Sequence, residues 1–129
     1  MTLGAGPTFT YQYGTNFGSG SGYLRPTNIT STTGDSLQLG YIGSILTNVT
    51  WSGSITGQVS VQLNSDLLPA SQSVGASAIA YTYDADRLLT QAGALALTRD
   101  PASGFITGTS LGGVTDQRQF DERGFLTSY

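Results

Sequence analysis

One short pattern returns along this chain: an aromatic or apolar residue, a turn-forming Asp, Asn or Gly, a few polar residues, then an apolar pair and usually Thr. The clearest copies are Tyr83-Asp84-Ala85-Asp86-Arg87-Leu88-Leu89-Thr90 and Phe120-Asp121-Glu122-Arg123-Gly124-Phe125-Leu126-Thr127. Between them stands Arg99-Asp100-Pro101-Ala102-Ser103-Gly104-Phe105-Ile106-Thr107, and looser copies run from Leu39-Gly40 to Thr47 and from Leu63-Asn64 to near Ala70. The turn residues fall at 40, 64, 84, 100 and 121, so the steps are 24, 20, 16 and 21 residues. A repeat of this length is one supersecondary unit that cannot bury its own apolar face and is stabilised by its neighbours.

Within each copy the apolar residues alternate. Leu37, Leu39 and Tyr41 are followed by Ile45, Thr47, Val49 and Trp51, which the alternation places on one face. Val59, Val61 and Leu63 continue the scheme, then Ile79, Tyr81 and Tyr83, then Leu95 and Leu97, then Val114 through Phe120. Period two marks strands. Residues 85–97 are rich in helix formers, but Gly93 interrupts them and Leu95 and Leu97 stand two apart, so strands are expected there too. The reading is all-β: an antiparallel meander of tandem β-hairpins, with residues 37–129 as repeats. Residues 1–36 are read as a degenerate repeat with a Gly/Ser-rich lead, in which Phe9–Tyr13 is a half-buried strand, Gly14–Gly22 a loop and Gly34-Asp35 a turn. About ten to twelve strands ~4.8 Å apart would span roughly 50 Å. A sheet that wide must curl or be covered, which implies a curved wall with open edges.

Each motif position has a physical reason. The Asp carboxylate accepts backbone N–H groups two residues on and closes an Asx turn; Asn64 can do the same. Gly104 and Gly124 stand where a longer hairpin loop needs φ > 0. Arg87 holds that place in the Tyr83 copy, so its turn is expected to differ or to be strained.

Composition excludes several functions. The chain has 129 residues, five Arg, no Lys, eight acidic residues, no His and no Cys, for a net charge of −3. Without a basic face, nucleic acid is not an expected partner, and neither thiol nor imidazole catalysis nor the common zinc sites are available. No stretch approaches the ~20 apolar residues of a membrane-spanning helix. The start, Met1 to Pro7, lacks the pattern of a signal peptide. The last copy stops at Tyr129, two residues into its return strand, which reads as a piece of a longer protein.

The copies at Tyr81-Thr82-Tyr83-Asp84…Leu89-Thr90 and Phe120-Asp121-Glu122-Arg123-Gly124-Phe125-Leu126-Thr127-Ser128-Tyr129 resemble the RHS/YD-repeat family, whose consensus runs Tyr-Asp-x-x-Gly-Arg/x-Leu-Thr. The resemblance is carried by residues 79–129 and extends more loosely over 37–78. It implies a β-ribbon spiralling into a hollow shell, as in bacterial RHS toxins, toxin-complex subunits and teneurins. In bacterial members the shell encloses a toxic domain. The family's self-cleaving core segment is not visible in this chain, so nothing catalytic carries over. The resemblance implies a structural wall segment of a larger secreted or extracellular protein, with neighbouring repeats and an enclosed polypeptide as partners. Tyr83, Asp84, Leu89, Thr90, Asp100, Gly104, Phe120, Asp121, Gly124, Leu126 and Thr127 are its repeat-motif positions.

No enzyme activity and no cofactor are expected. Asp84/Asp86 and Asp121/Glu122 are neighbouring carboxylates, the raw material of acid/base chemistry, but each pair lies where turn capping accounts for it. The rival reading is an adhesin-like module that recognises glycans or a partner chain through aromatic residues, Trp51 foremost. Isolated sheet edges are also expected to self-associate.

Overall fold

The computed structural model describes residues 6–14 and 24–129. Among them there is no helix, and so none long and apolar enough to cross a membrane. Thirteen strands follow in chain order: β1 Phe9–Tyr13, β2 Pro26–Ser31, β3 Ser36–Ile42, β4 Ile45–Ser52, β5 Gly57–Leu63, β6 Pro69–Val74, β7 Ser77–Tyr83, β8 Leu89–Ala92, β9 Leu95–Arg99, β10 Ile106–Leu111, β11 Val114–Gln117, β12 Gln119–Phe120 and β13 Leu126–Ser128. The first eleven form one antiparallel sheet in which each strand is bonded to the next in sequence, and β12 pairs with β13. The expected meander is therefore the observed topology. Contacts cluster in two units, Met1–Gln62 with Gln72–Ser77, and Leu63–Ser71 with Ala78–Tyr129.

Two kinds of turn recur, and each is written in the sequence. Ile42 pairs with Ile45, Ala92 with Leu95 and Leu111 with Val114, leaving Gly43-Ser44, Gly93-Ala94 and Gly112-Gly113 as two-residue loops. The first glycine of each has φ near +58° and the second residue does not have positive φ, which is a type II′ turn. Its twist matches that of the flanking strands. Gly75-Ala76 repeats the form between β6 and β7.

Longer loops stand at Ser31, Asn64, Asp84, Asp100 and Asp121. At Asp84 the backbone N–H bonds to the Leu88 carbonyl and the Asp84 carbonyl accepts from Arg87. The same two bonds recur at Asn64 with Leu68 and Leu67, at Asp121 with Phe125 and Gly124, and at Ser31 with Asp35 and Gly34. The fourth residue has φ of 65° at Arg87, 62° at Leu67, 82° at Gly124 and 92° at Gly34. This is the three-residue loop whose last member is left-handed. At Asp100 the loop is one residue longer: Gly104, at φ 73°, donates to the Asp100 carbonyl, and Phe105 accepts from Asp100.

Several expectations are corrected by these bonds. Gly40 is not a turn residue but lies inside β3, opposite Asn48, because the strand ladder runs on to Ile42. The capped turn preceding β3 is anchored by Ser31, whose hydroxyl accepts the Thr33 amide. On β4 the register shifts, with Leu39 facing Val49 but Tyr41 facing Leu46. That bulge sends Leu46, rather than Ile45 and Thr47, to the face of Val49 and Trp51, since one extra residue reverses the alternation. The strand expected from Val114 through Phe120 is broken at Arg118, whose amide still reaches the Thr107 carbonyl. The loop expected over Gly14–Gly22 lies outside the described residues except for Gly14.

Burial is the other departure. Phe9, Tyr11 and Tyr13 are 54%, 52% and 54% exposed, so β1 is not half-buried as its alternation implied. Among the described strands it is an edge strand with one neighbour. Among the described residues no hydrophobic side chain is fully buried. A domain ordinarily closes two layers around an apolar core; here stability comes from the ladder and from cross-strand pairs, each contributing roughly 0.2–1 kcal/mol.

Candidate functional site

The motif residues assemble at the capped turns. Asp84 Oδ1 accepts the amides of Asp86 at 3.0 Å and Leu88 at 2.8 Å. Asp121 Oδ1 accepts those of Arg123 at 2.9 Å and Phe125 at 2.8 Å. Asn64 Oδ1 accepts those of Asp66 and Leu68, both at 2.9 Å. One oxygen thus closes the same loop in three places, and Asn serves as well as Asp because only the acceptor matters. The carboxylates considered above as acid/base pairs are held as caps at Asp84 and Asp121.

Asp100 binds more tightly inward. It accepts the Ser103 amide at 2.7 Å, the Ser103 hydroxyl at 2.8 Å and the Ala102 amide at 3.1 Å. The Ser103 amide above all, then its hydroxyl, holds the Asp100 carboxyl below the ordinary carboxylate value. Asp35 is likewise lowered, first by the Ser54 amide and then by the Thr33 hydroxyl. Its bond to Ser54, at 2.8 Å, ties the loop before β3 to the loop after β4.

The strand residues of the motif flank these loops. Tyr83 faces Leu89 across the β7–β8 pair, and the Thr82 and Thr90 hydroxyls are bonded at 3.0 Å. The Tyr83 hydroxyl donates to the Pro69 carbonyl at 2.8 Å, as Tyr41 does to Pro26 at 2.9 Å. Phe120 faces Leu126, with Thr127 beside it in β13.

In the second unit, successive loops touch in series. Arg87 reaches Asp66 at 3.2 Å, one loop back. Leu88 lies against Gly104, where an added Cβ would come within 3.1 Å of its Cδ1. Phe105 in turn lies against Gly124, again at 3.1 Å from where a Cβ would stand, and its ring centroid is 5.1 Å from that of Phe120. At Leu88 and Phe105, then, the residue after a left-handed position packs on the left-handed glycine of the next loop. Phe125 is the next in this series, and it is 66% exposed.

Beside this series is an open cleft of about 890 Å³ lined by Phe105, Thr109, Asp116, Arg118, Phe120 and Asp121, among others. Asp116 accepts the Thr109 hydroxyl at 2.6 Å and amide at 2.7 Å and pairs with Arg118. The Thr109 hydroxyl leads the effects that lower the Asp116 pKa. Sequence reasoning did not single out this network; Asp116 and Arg118, two apart on what reads as one strand, were its only signal. Arg99 does not pair with an acid but donates to the carbonyls of Leu89 and Gly104. No group of three acidic, His or Cys side chains among the described residues is placed to hold a metal.

Trp51 lies between Leu37 and Gly57 across its two strand pairs, with its indole against the Gly57 backbone. It is half-buried in that position.

No family model matches the chain, and no curated protein matches it in sequence.

Proposed function

We propose that this chain is structural: a segment of a hollow β-shell wall that encloses and sequesters a toxic cargo domain within a larger secreted or extracellular protein. One observation carries the reading. The same capped loop returns at Asn64, Asp84 and Asp121 in a chain where no apolar side chain is buried among the described residues. Elements built alike, with no buried apolar side chain among the described residues, suit a wall extended by repetition. The sparse charge, 10% of residues, suits a surface that surrounds a polypeptide without gripping it. The motif's resemblance to YD repeats supplies the cargo part of the reading.

Limited proteolysis of the natural polypeptide that carries this segment tests it. A second domain that stays intact until the repeat region is cut supports enclosure. A natural protein of 13.4 kDa with no further domain would overturn it.

A further inference from the structure

The edge of β1 that no described strand pairs with is self-complementary. In an antiparallel sheet alternate residues turn their N–H and C=O to opposite sides. The Thr8 carbonyl accepts from Thr32, while Gly14 donates to Arg25 and accepts from Leu24, so these even-numbered residues bond inward to the neighbouring segment. The Ser31 amide, opposite Phe9, bonds instead to Asp35 on the far side of β2. Thr10 and Gln12 therefore bond inward, and Phe9, Tyr11 and Tyr13 present their backbone groups outward. No described strand pairs with that side.

The five residues read nearly the same in both directions: aromatic, polar, aromatic, polar, aromatic. All five are exposed and none is charged, so β1 lacks the Lys or inward charge that commonly blocks edge pairing. We infer that β1 pairs antiparallel with β1 of a second copy about a two-fold axis at Tyr11. That register sets Tyr11 against Tyr11, Phe9 against Tyr13 and Thr10 against Gln12. Every outward backbone group then finds a partner, giving about six hydrogen bonds. The aromatic rings of both copies meet on one face, a cross-strand pairing that favours sheets. A two-fold contact uses the same patch on both chains and closes at a dimer. The pairing stands apart from the wall reading: it concerns the separate chain, whatever the parent protein encloses.

The chain's lack of cysteine makes the test direct. Sedimentation of the purified 129-residue chain at about 100 μM should give a dimer that dissociates on dilution, as a small interface implies. Opposed Tyr11 Cα atoms would lie about 5.5 Å apart, within disulfide reach. Tyr11→Cys should therefore cross-link under mild oxidation roughly tenfold faster than Thr10→Cys, whose opposite neighbour is Gln12. Tyr11→Lys, placing like charges face to face, should weaken the dimer by about tenfold or more with the urea midpoint kept. A chain that stays monomeric, a ladder of higher oligomers, or cross-linking at Thr10 as fast as at Tyr11 would each overturn the inference. Should the Lys variant fail to fold, the two cysteine variants still decide.

Discussion

Arg87 and Gly124 hold the same place in two loops with the same bonding, at φ 65° and 82°. The left-handed conformation costs a side-chain-bearing residue about 1–2 kcal/mol and glycine almost nothing. The fold therefore keeps the loop and carries strain at Arg87, as it does at Leu67, φ 62°. Of the two outcomes the sequence left open for Arg87, the loop geometry persists and the strain is real.

Leu67→Gly is expected to raise the unfolding free energy by about 0.5–1 kcal/mol, the strain relieved less the added freedom of the unfolded chain. Arg87→Gly gains less, because it also removes the exposed pair with Asp66, whose contribution is about 0–1 kcal/mol. Gly124→Ala should lose about 1–2 kcal/mol. Urea denaturation of the three variants gives the order directly.

Asp84→Asn should be close to neutral, because Asn64 caps the same loop with an amide oxygen. Asp84→Ala removes two accepted hydrogen bonds and should cost about 1–2 kcal/mol. Equal losses for Asn and Ala, measured by denaturant midpoints, would show that charge rather than the acceptor closes the loop.

Gly57→Ala would drive a methyl group into the Trp51 indole, which already lies on the glycine backbone. The expected loss is about 1–3 kcal/mol, the usual range for overpacking. Trp51 is the only tryptophan, so its emission should shift red as the ring is displaced toward water.

Acid should weaken the fold through Asp35, Asp100 and Asp116, each titrating below its ordinary value of 3.8. Folded values below the unfolded one mean that the unfolded chain binds protons first as pH falls. Their contribution is complete above the unfolded pKa and lost as pH drops through the folded ones. Urea midpoints measured between pH 7 and the acid limb should therefore hold down to about 4 and fall below it. Asp116→Asn should flatten that fall.

The sequence by itself determined the class of fold. Period-two alternation over β3, β5, β7 and β9, single glycines such as Gly93 opening two-residue loops, and Asp or Asn at 64, 84 and 121 are local signals. Strand propensity and turn chemistry act within a few residues, so they are readable without knowing what lies opposite. For the same reason the helix-forming composition of residues 85–97 yielded to Gly93, which starts the II′ turn between β8 and β9.

Only the tertiary structure decided where register slips and what is covered. The bulge that turns Leu46 toward Tyr41 depends on pairing across strands, and the Thr109–Asp116–Arg118 network on two strands meeting. The turn read at Gly34-Asp35 is present, but its Ser31 cap was not read, because hydroxyl caps are weaker signals than Asp or Asn. The exposure of Phe9, Tyr11 and Tyr13 was hidden as well. Alternation tells which side chains share a face, but burial requires a second surface laid against that face.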